Sequence, residues 1–361
     1  MAKKPLLMWV DATWRRAYTH APLMYPFWGI QASDKTPFTK RLFETYSFDT
    51  NEYGLAQTVD EADIVFLPYR YNVLREKGPS LIAEAASLAR SAKKPILIDG
   101  TGDLEYQIDI PHAIILRIAG YRFFRTPNEI HVPLYVDDLL ERVRGGVLDI
   151  RKKQEKARVG FSGWAGVSPI VALKAIIKEL PYRMRGLLDP RYRVFKKGVF
   201  LRARALRILG NSSRIETNFI ARPTYSAHTA TASADPETLQ KQFVENLLES
   251  DYGLDVRGDP NASARLYEIC SLGRIPLIVD TARNLPFSDE LDYSTFSLIV
   301  DYRDMHRLPQ IVADFHEKLS PEKFEAMQRA AREAYRNYFR IDAMTKHLVK
   351  RIKTLCAAYS A

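Results

Sequence analysis

The chain has 361 residues, of which 46% are hydrophobic and 27% are charged. This composition excludes a disordered or fibrous protein, and the length is sufficient for two domains. The 53 Lys and Arg residues outnumber the 43 Asp and Glu residues, which leaves a net charge of +10. Such an excess favours an anionic partner: a nucleotide phosphate, a nucleic acid or an acidic membrane surface.

The N-terminal sequence indicates a cytoplasmic protein. Its first apolar run ends at Asp11, which makes it too short for the core of a signal peptide or for a membrane span. The two cysteines, Cys270 and Cys356, show no metal-ligand spacing. We therefore expect a reducing compartment, no disulfide framework and no metal site, with peripheral membrane contact left open.

Short apolar runs alternate with amphipathic stretches in the first part of the chain. Strands are predicted at 6–10, 64–67, 96–98 and 113–118, with a helix at 80–91. This alternation is typical of an α/β fold with mainly parallel sheets.

The second part of the chain follows the same pattern after a basic segment at 151–158. Strands are predicted at 159–164, 252–256 and 275–279, and helices at 169–180, 236–249 and 264–272. We accordingly expect one domain at 1–152 and a second at 153–340. A single apolar stripe along 341–361 predicts a C-terminal helix that packs back toward the first domain.

The segment that follows the predicted strand 252–256 has the features of an anion site. The strand ends at Arg257, and Gly258 lets the backbone approach a ligand. A helix begins near Ser263, so its unpaired amides face the same opening. Arg257 and Arg265 flank this turn and can neutralise a diphosphate.

Arg265 and Glu268 are three positions apart, so they project from the same side of the predicted helix. A carboxylate repels phosphate but accepts hydrogen bonds from the two hydroxyls of a ribose. An arginine beside such a carboxylate therefore indicates a nucleotide. The alternative is a solvated ion pair of the kind common on helix surfaces.

These residues resemble the donor-binding signature of the exostosin-like glycosyltransferases, glycosyltransferase family 47. The signature has a strand, an Arg-Gly turn, a Ser, an Arg-Leu-Tyr-Glu helix and then Gly-Arg-Ile-Pro, which here occupy 252–276. The following segment 281–300 is also similar to that family. In the first domain, 61–68 and 127–133 are similar to its N-terminal landmarks.

The resemblance implies a GT-B architecture, in which two Rossmann-like domains face each other across a cleft. The second domain then binds the nucleotide-sugar donor, with Arg257, Gly258, Ser263 and Arg265 near the diphosphate and Glu268 on the ribose. The segment 259–262 departs from the family pattern, so Asp259 must face away from a diphosphate. The implied reaction is inverting and needs no metal or other cofactor.

An inverting transfer needs a general base on the acceptor side of the cleft. Asp11 and Asp99 follow predicted strands of the first domain, and Asp103 lies shortly after Asp99. Each of them can instead cap a turn. In the second domain, Gly163 lies at the end of the strand 159–164 and opens a turn that either contacts the donor through its backbone or is a plain loop.

The remaining polar candidates lack partners at a suitable spacing. His20, His112, His131 and His228 are scattered, and a lone histidine is more often structural. Arg117 ends a predicted strand, where it either reaches a phosphate or forms a salt bridge at the sheet edge.

The strongest local charge bias lies at 183–207, with nine basic residues and one acid, Asp189. This stretch can bind an anionic membrane or an acidic glycan, or it can be a solvated surface. The resemblance implies transfer from a nucleotide sugar, with UDP as the expected nucleotide, to a saccharide or lipid-linked acceptor in surface polysaccharide synthesis. The alternative is a basic protein that binds nucleic acid or an anionic membrane without transferase activity.

Overall fold

The computed structural model describes residues 4–30, 37–102, 106–167, 169–223 and 236–360. Within these ranges the first domain contains six strands: β1 Leu6–Trp9, β2 Tyr53–Leu55, β3 Ile64–Arg70, β4 Ile96–Asp99, β5 Ala113–Arg117 and β6 Glu129–His131. Its helices are α1 Tyr25–Trp28, α2 Pro37–Thr45, α3 Tyr71–Lys77, α4 Pro79–Ser91 and α5 Leu139–Arg144.

The second domain contains five further strands among the described residues: β7 Arg158–Trp164, β8 Glu216–Arg222, β9 Tyr252–Val256, β10 Ile275–Asp280 and β11 Leu298–Asp301. The helices that follow β7 in the chain are α6 Pro169–Leu188, α7 Gly198–Gly210, α8 Pro236–Leu248, α9 Arg265–Ser271, α10 Leu308–Lys318, α11 Pro321–Ala334 and α12 Ile341–Ser360.

Both sheets are parallel. The first runs β2-β1-β3-β4-β5-β6, and the second, read from its β8 edge, runs β8-β7-β9-β10-β11. The five strands of the second sheet thus follow the same order as the first five positions of the first sheet. Each central strand is buried on both faces, which explains why it reads as a continuous apolar run rather than an alternating one. In each sheet the order reverses beside the first strand of the domain, which creates a switch point where such folds bind ligands.

The carboxyl edges of the two sheets face each other. The segment after β5 pairs with the segment after β10 through a backbone bridge between Tyr121 and Arg283. Arg122 adds a salt bridge of 2.7 Å to Asp280 at the end of β10. Two Rossmann-like units that meet at their carboxyl edges form the GT-B architecture that the resemblance implied.

The last helix returns to the first domain. Residues Ile341, Met344, Leu348 and Ile352 of α12 are buried in the same core cluster as Leu6 and other residues of the first sheet. The apolar stripe read from the sequence is therefore the packing face of α12.

All seven predicted strands are present, and their bounds agree closely except that β3 extends to Arg70. Four strands were not predicted: β2, β6, β8 and β11. β2 and β6 are three residues long, and β8 is a partly exposed strand at the sheet edge with polar residues at its start. The predicted helix 169–180 is longer in the structure, since α6 continues to Leu188.

Candidate functional site

The switch point of the second sheet lies between β7 and β9. These strands are neighbours, while the chain continues from them to β8 on one side and to β10 on the other. Their carboxyl ends place Ser162 and Gly163 beside the segment that starts at Arg257. The sequence motif therefore lies where open parallel sheets bind ligands.

Arg265 reaches across this switch point from the first turn of α9. Its Nη2 donates a hydrogen bond of 2.7 Å to the carbonyl oxygen of Ser162, and its guanidinium carbon lies 4.3 Å from the ring centre of Phe161. Gly163 has a φ of +149°, and a Cβ there would lie 2.6 Å from Nη2 of Arg265. Glycine is therefore required at 163 for the arginine to occupy this position.

Glu268 follows Arg265 on the same helix and is partly buried. Burial raises the pKa of its carboxyl group, and the negative charge of Asp255 raises it further, while Arg265 lowers it. A carboxyl group in this setting differs from one in a solvated surface pair. The structure thus gives Arg265 and Glu268 a shared, partly enclosed environment at the end of the sheet.

Helix α9 begins one or two residues later than the sequence suggested. Ser263 lies before the helix and is partly buried. Ala264 occupies the N-cap position, so the helix start has no side-chain capping hydrogen bond from that residue. The backbone amides of Tyr267 and Glu268 are bonded to the carbonyl oxygen of Ala264.

Arg257 connects the two domains. It is buried, and its Nη1 donates a hydrogen bond of 2.8 Å to the hydroxyl of Tyr121 in the first domain. Its Nη2 donates to the carbonyl oxygen of Lys196, and its Nε has no hydrogen-bond partner among the described residues. One donor of a buried guanidinium is thus available at the domain boundary.

The turn after Arg257 is held tightly by its own backbone. The amide of Gly258 donates a hydrogen bond of 2.8 Å to the carbonyl oxygen of Ala262. Gly198 at the start of α7 packs directly against this turn, where any Cβ would overlap the carbonyl oxygen of Gly258. Asp259 lies 3.8 Å from Nζ of Lys197, so its carboxylate has a cationic neighbour.

The segment that departs from the family pattern has a structural role at the domain boundary. Asn261 is buried and donates hydrogen bonds of 3.1 Å to the carbonyl oxygen of Gly120 and 3.2 Å to that of Thr281. The side-chain amide oxygen of Asn261, Oδ1, accepts a hydrogen bond of 2.6 Å from the Thr281 hydroxyl. Sequence reasoning missed both Asn261 and Tyr121 as residues that connect the domains.

A buried ion pair lies next to the site, with its acid in the strand that leads to Arg257. Asp255 in β9 pairs with Arg283, and both side chains are almost fully buried. Asp255 raises the pKa of the Arg283 guanidinium, which favours the charged form despite burial. Sequence reasoning missed this pair, although an acid inside an apolar strand is a signal, because a buried charge requires a partner.

The candidate bases of the first domain differ in their surroundings. Asp11 follows β1 at the switch point of the first sheet and is partly exposed; it accepts hydrogen bonds of 2.8 Å from the amide and 2.6 Å from the hydroxyl of Thr13. Asp99 is buried and accepts a hydrogen bond of 2.9 Å from the amide of Thr101. Each therefore caps a turn, as the structural alternative stated. Asp103 lies outside the described residues.

Arg117 forms a salt bridge at the sheet edge, which was one of the two roles predicted for it. Its Nε lies 3.0 Å from Oε1 of Glu129, and Nη2 donates to the carbonyl oxygen of Tyr106. Two of the histidines also contact backbone carbonyl groups. Nε2 of His20 lies 2.7 Å from the carbonyl oxygen of Gly29, and Nε2 of His131 lies 3.1 Å from the carbonyl oxygen of Ala119. His112 is exposed in a turn, and His228 lies outside the described residues.

A groove of about 820 Å³ opens on the first domain next to this boundary. Its lining includes the aromatic residues Tyr106, Tyr121 and Phe124 and the cations Arg117 and Arg125. Aromatic faces and fixed hydrogen-bonding groups are what a sugar ring needs from a protein surface. Tyr121, which lines the groove, is also the residue that contacts Arg257.

The basic stretch 183–207 is divided among several environments. Arg202 is buried and donates to the carbonyl oxygen of Trp164, whereas Arg204 and Arg207 on α7 are exposed. The cations between 183 and 193 lie on α6 and the turn after it. The stretch is therefore not one continuous surface.

Within the described ranges, no group of three metal-ligating side chains is close enough to hold a metal ion. Nor does any described helix combine the length and apolar character needed to cross a bilayer.

Residues 201–315 match the model of the Exostosin GT47 domain. This segment contains Arg257, Gly258, Ser263, Arg265 and Glu268, on which the sequence resemblance depended. The resemblance to the exostosin-like family is confirmed.

The chain also matches a curated protein, the Exostosin-1 homolog of Caenorhabditis elegans. The two are 26% identical over 110 residues, which is 30% of this chain and 28% of that protein. The match thus spans less than a third of the curated relative. The domain model begins at residue 201, so it does not include the first-domain landmarks at 61–68 and 127–133.

Two solved structures resemble the whole chain at low sequence identity. One is the crystal structure of HepE from Anabaena in complex with UDP, 9% identical, with 98% of this chain and 100% of that chain covered and a TM-score of 0.35. The other is a glycosyltransferase from Rickettsia africae, 10% identical, with 98% and 99% covered and a TM-score of 0.41.

Proposed function

We propose that the protein is an inverting glycosyltransferase that moves a sugar from a nucleotide donor to a saccharide acceptor. The observation that carries this proposal is the position of the exostosin-like motif. Arg257, Arg265 and Glu268 lie at the switch point of the second sheet and at its boundary with the first domain. Two arginines at this edge of the sheet suit a diphosphate, and the neighbouring carboxylate suits the hydroxyls of a ribose.

The donor is held by the second domain in this proposal. Arg257, whose buried Nε has no hydrogen-bond partner among the described residues, supplies one cation beside the diphosphate. Arg265 supplies a second cation beside the backbone of Gly163, and Glu268 accepts the ribose hydroxyls. Negative charge grows on the leaving diphosphate during transfer, so fixed cations beside it lower the barrier.

The acceptor lies in the first domain in this proposal, in the groove that Tyr121 helps to line. A base must take the proton of its attacking hydroxyl, on the side opposite to the leaving diphosphate. Asp11, Asp99 and Asp103 are the candidates. Asp11 is favoured over Asp99 because it lies at a switch point and is partly exposed, whereas Asp99 is buried.

The finer assignments belong to the same proposal. We propose UDP as the nucleotide, a saccharide or lipid-linked saccharide as the acceptor, surface polysaccharide synthesis as the role and the cytoplasm as the location. Cys270 and Cys356 are not joined in a disulfide, which is compatible with a reducing compartment. Metal independence remains a prediction, to be tested by transfer in the presence of a chelator.

The first test is calorimetric titration of the protein with UDP, GDP, CDP and ADP. We expect saturable binding of one nucleotide, and a loss of affinity of about tenfold or more in Glu268→Gln, because the ribose loses a charged acceptor. Glu317→Gln, which removes an exposed carboxylate on α10, is the matched control and should bind normally.

Two outcomes contradict the proposal. One is weak binding of every nucleotide that disappears at raised salt, which describes a nonspecific basic surface. The other is unchanged affinity in a correctly folded Glu268→Gln. A product that retains the anomeric configuration of the donor would contradict the inverting mechanism alone, and normal transfer in an Asp11→Asn variant would exclude Asp11 as the base.

A further inference from the structure

Helix α6 exposes a continuous apolar stripe to solvent. Plotted at 3.6 residues per turn, seven exposed residues fall within an arc of about 120°: Leu173, Ile176, Ile177, Leu180, Met184, Leu187 and Leu188. Leu188 is 93% exposed, Leu187 72% and Ile177 63%. An amphipathic helix normally turns such a stripe toward the core, so this orientation is the reverse of the usual one.

The opposite side of α6 fixes this orientation. Ala175 is buried there, and Oε1 of the buried Glu179 accepts a hydrogen bond of 2.7 Å from the amide of Lys197. The ring of Tyr182 stacks on Phe195 with ring centres 5.0 Å apart. The polar and aromatic side of the helix therefore holds it to the domain, and the apolar stripe has no cover among the described residues.

Cations border the stripe. Lys174, Lys178 and Arg185 follow one flank in the helical projection, and Arg183 lies on the other. The one acid of this part of the helix, Glu179, is turned toward the domain and bonded to Lys197 and Arg183. An exposed apolar stripe bordered by lysine and arginine is typical of a helix that lies in the plane of a membrane.

We propose that α6 binds the surface of an anionic lipid bilayer, with its apolar stripe in the acyl region and its flanking cations at the headgroups. A second copy of the chain is the competing occupant of an apolar surface this large. A symmetric pair through α6 would bring two sets of like charges together, whereas anionic headgroups complement them. Charge complementarity therefore selects the bilayer.

The bound helix lies close to the candidate site. The turn Pro190–Val194 that follows α6 leads to Phe195, whose ring stacks on Tyr121 with ring centres 4.3 Å apart. Tyr121 in turn accepts the hydrogen bond from Arg257. If the proposed function holds, α6 thus places the domain boundary near a lipid-linked acceptor; binding to the bilayer itself does not depend on that function.

The experiment is cosedimentation of the full chain with phosphatidylcholine vesicles that contain or lack phosphatidylglycerol. We expect binding only to the anionic vesicles. The variant Ile177→Gln, Leu180→Gln, Leu187→Gln removes apolar surface without changing charge, and we expect roughly tenfold weaker binding or more. Lys174→Gln, Lys178→Gln should weaken binding most at low salt. Val147→Gln, which changes an equally exposed apolar residue away from α6, is the matched control.

Three results would overturn this proposal: no binding of the unaltered chain, equal binding of the triple variant, or a dimer in light scattering that the triple variant abolishes. The last result would assign the stripe to a second copy of the chain. Nucleotide titration of the triple variant keeps the two proposals separate. Normal nucleotide affinity with lost vesicle binding supports the membrane surface, whatever the fate of the transferase proposal.

Discussion

Arg265 illustrates how much the setting of one residue decides. The sequence places it three positions before Glu268, a spacing shared by many surface ion pairs. In the structure it donates to Ser162 and lies over Phe161, and a glycine at 163 provides the space for it. Glu268 beside it has a raised pKa because of burial and the nearby Asp255. Both residues therefore belong to an enclosed site at the end of the sheet.

A buried histidine gives a prediction at the same scale. Burial, together with the nearby cations of Arg125 and Arg117, lowers the pKa of His131 to about 4. The unfolded chain, with an ordinary pKa of about 6.5, then binds more protons than the folded chain between pH 6.5 and 4. Stability therefore falls as the pH is lowered through this window, by up to about 1.4 kcal/mol per pH unit from this group.

His131→Gln should reduce this slope in urea unfolding measured from pH 7 to pH 4. His306→Gln, at an exposed position, should leave the slope unchanged. A slope that His131→Gln does not alter would show that folding does not lower the pKa of His131.

The two helices with prominent apolar stripes behave differently. The stripe of α12 is buried against the first sheet, whereas that of α6 faces solvent. Their sequences show similar spacing, so periodicity gave the secondary structure of both helices. What differs is the face that packs on the protein. Helix α6 is held through Glu179 and Tyr182, on the side opposite to its stripe, whereas α12 packs through the stripe itself and adds polar contacts such as that of His347 with Glu290.

At this scale we predict that Leu348→Ala destabilises the chain by about 2–5 kcal/mol, because it leaves a cavity between α12 and the first sheet. Leu348 is 1% exposed. Lys346→Ala changes an exposed residue of the same helix and should alter stability by less than about 0.5 kcal/mol. Urea unfolding followed by circular dichroism measures both. Equal effects of the two variants would mean that α12 is not packed on the first domain in solution.

The whole molecule depends on contacts between the carboxyl edges of the two sheets. Arg257 and Asn261 reach from the second domain to Tyr121 and Gly120 of the first, and Arg122 reaches back to Asp280. Several of these residues belong to the motif that the sequence assigned to donor binding. The same short segment thus both lines the candidate donor site and determines how closely the domains approach.

Replacement of Asn261 by alanine should loosen this boundary. The change removes the partner of the Thr281 hydroxyl and carbonyl oxygen and one of the hydrogen bonds to the carbonyl oxygen of Gly120, at a cost of about 1–3 kcal/mol. We expect amide hydrogen exchange at 120–122 and 281–284 to accelerate by about tenfold or more. Asn211→Ala, at an exposed helix end, is the control. Unchanged exchange in both segments would show that Asn261 does not hold the domains together.

The sequence by itself determined the α/β class, the strands of the buried sheet centres, the amphipathic helices and the resemblance of one segment to the exostosin-like family. These follow from local patterns, since a strand buried on both faces is apolar throughout and a packed helix repeats its apolar residues every three or four positions. Short strands such as β2 and the polar edge strand β8 lack that signal.

Only the tertiary structure decided which polar residues meet. Asp255 pairs with Arg283, Arg257 bonds to Tyr121 and Arg117 pairs with Glu129, in each case between different elements. The contact of Arg257 with Tyr121 joins the two domains. The solvent-facing stripe of α6 was equally beyond sequence reasoning, because periodicity shows that a helix has an apolar side but not what that side faces.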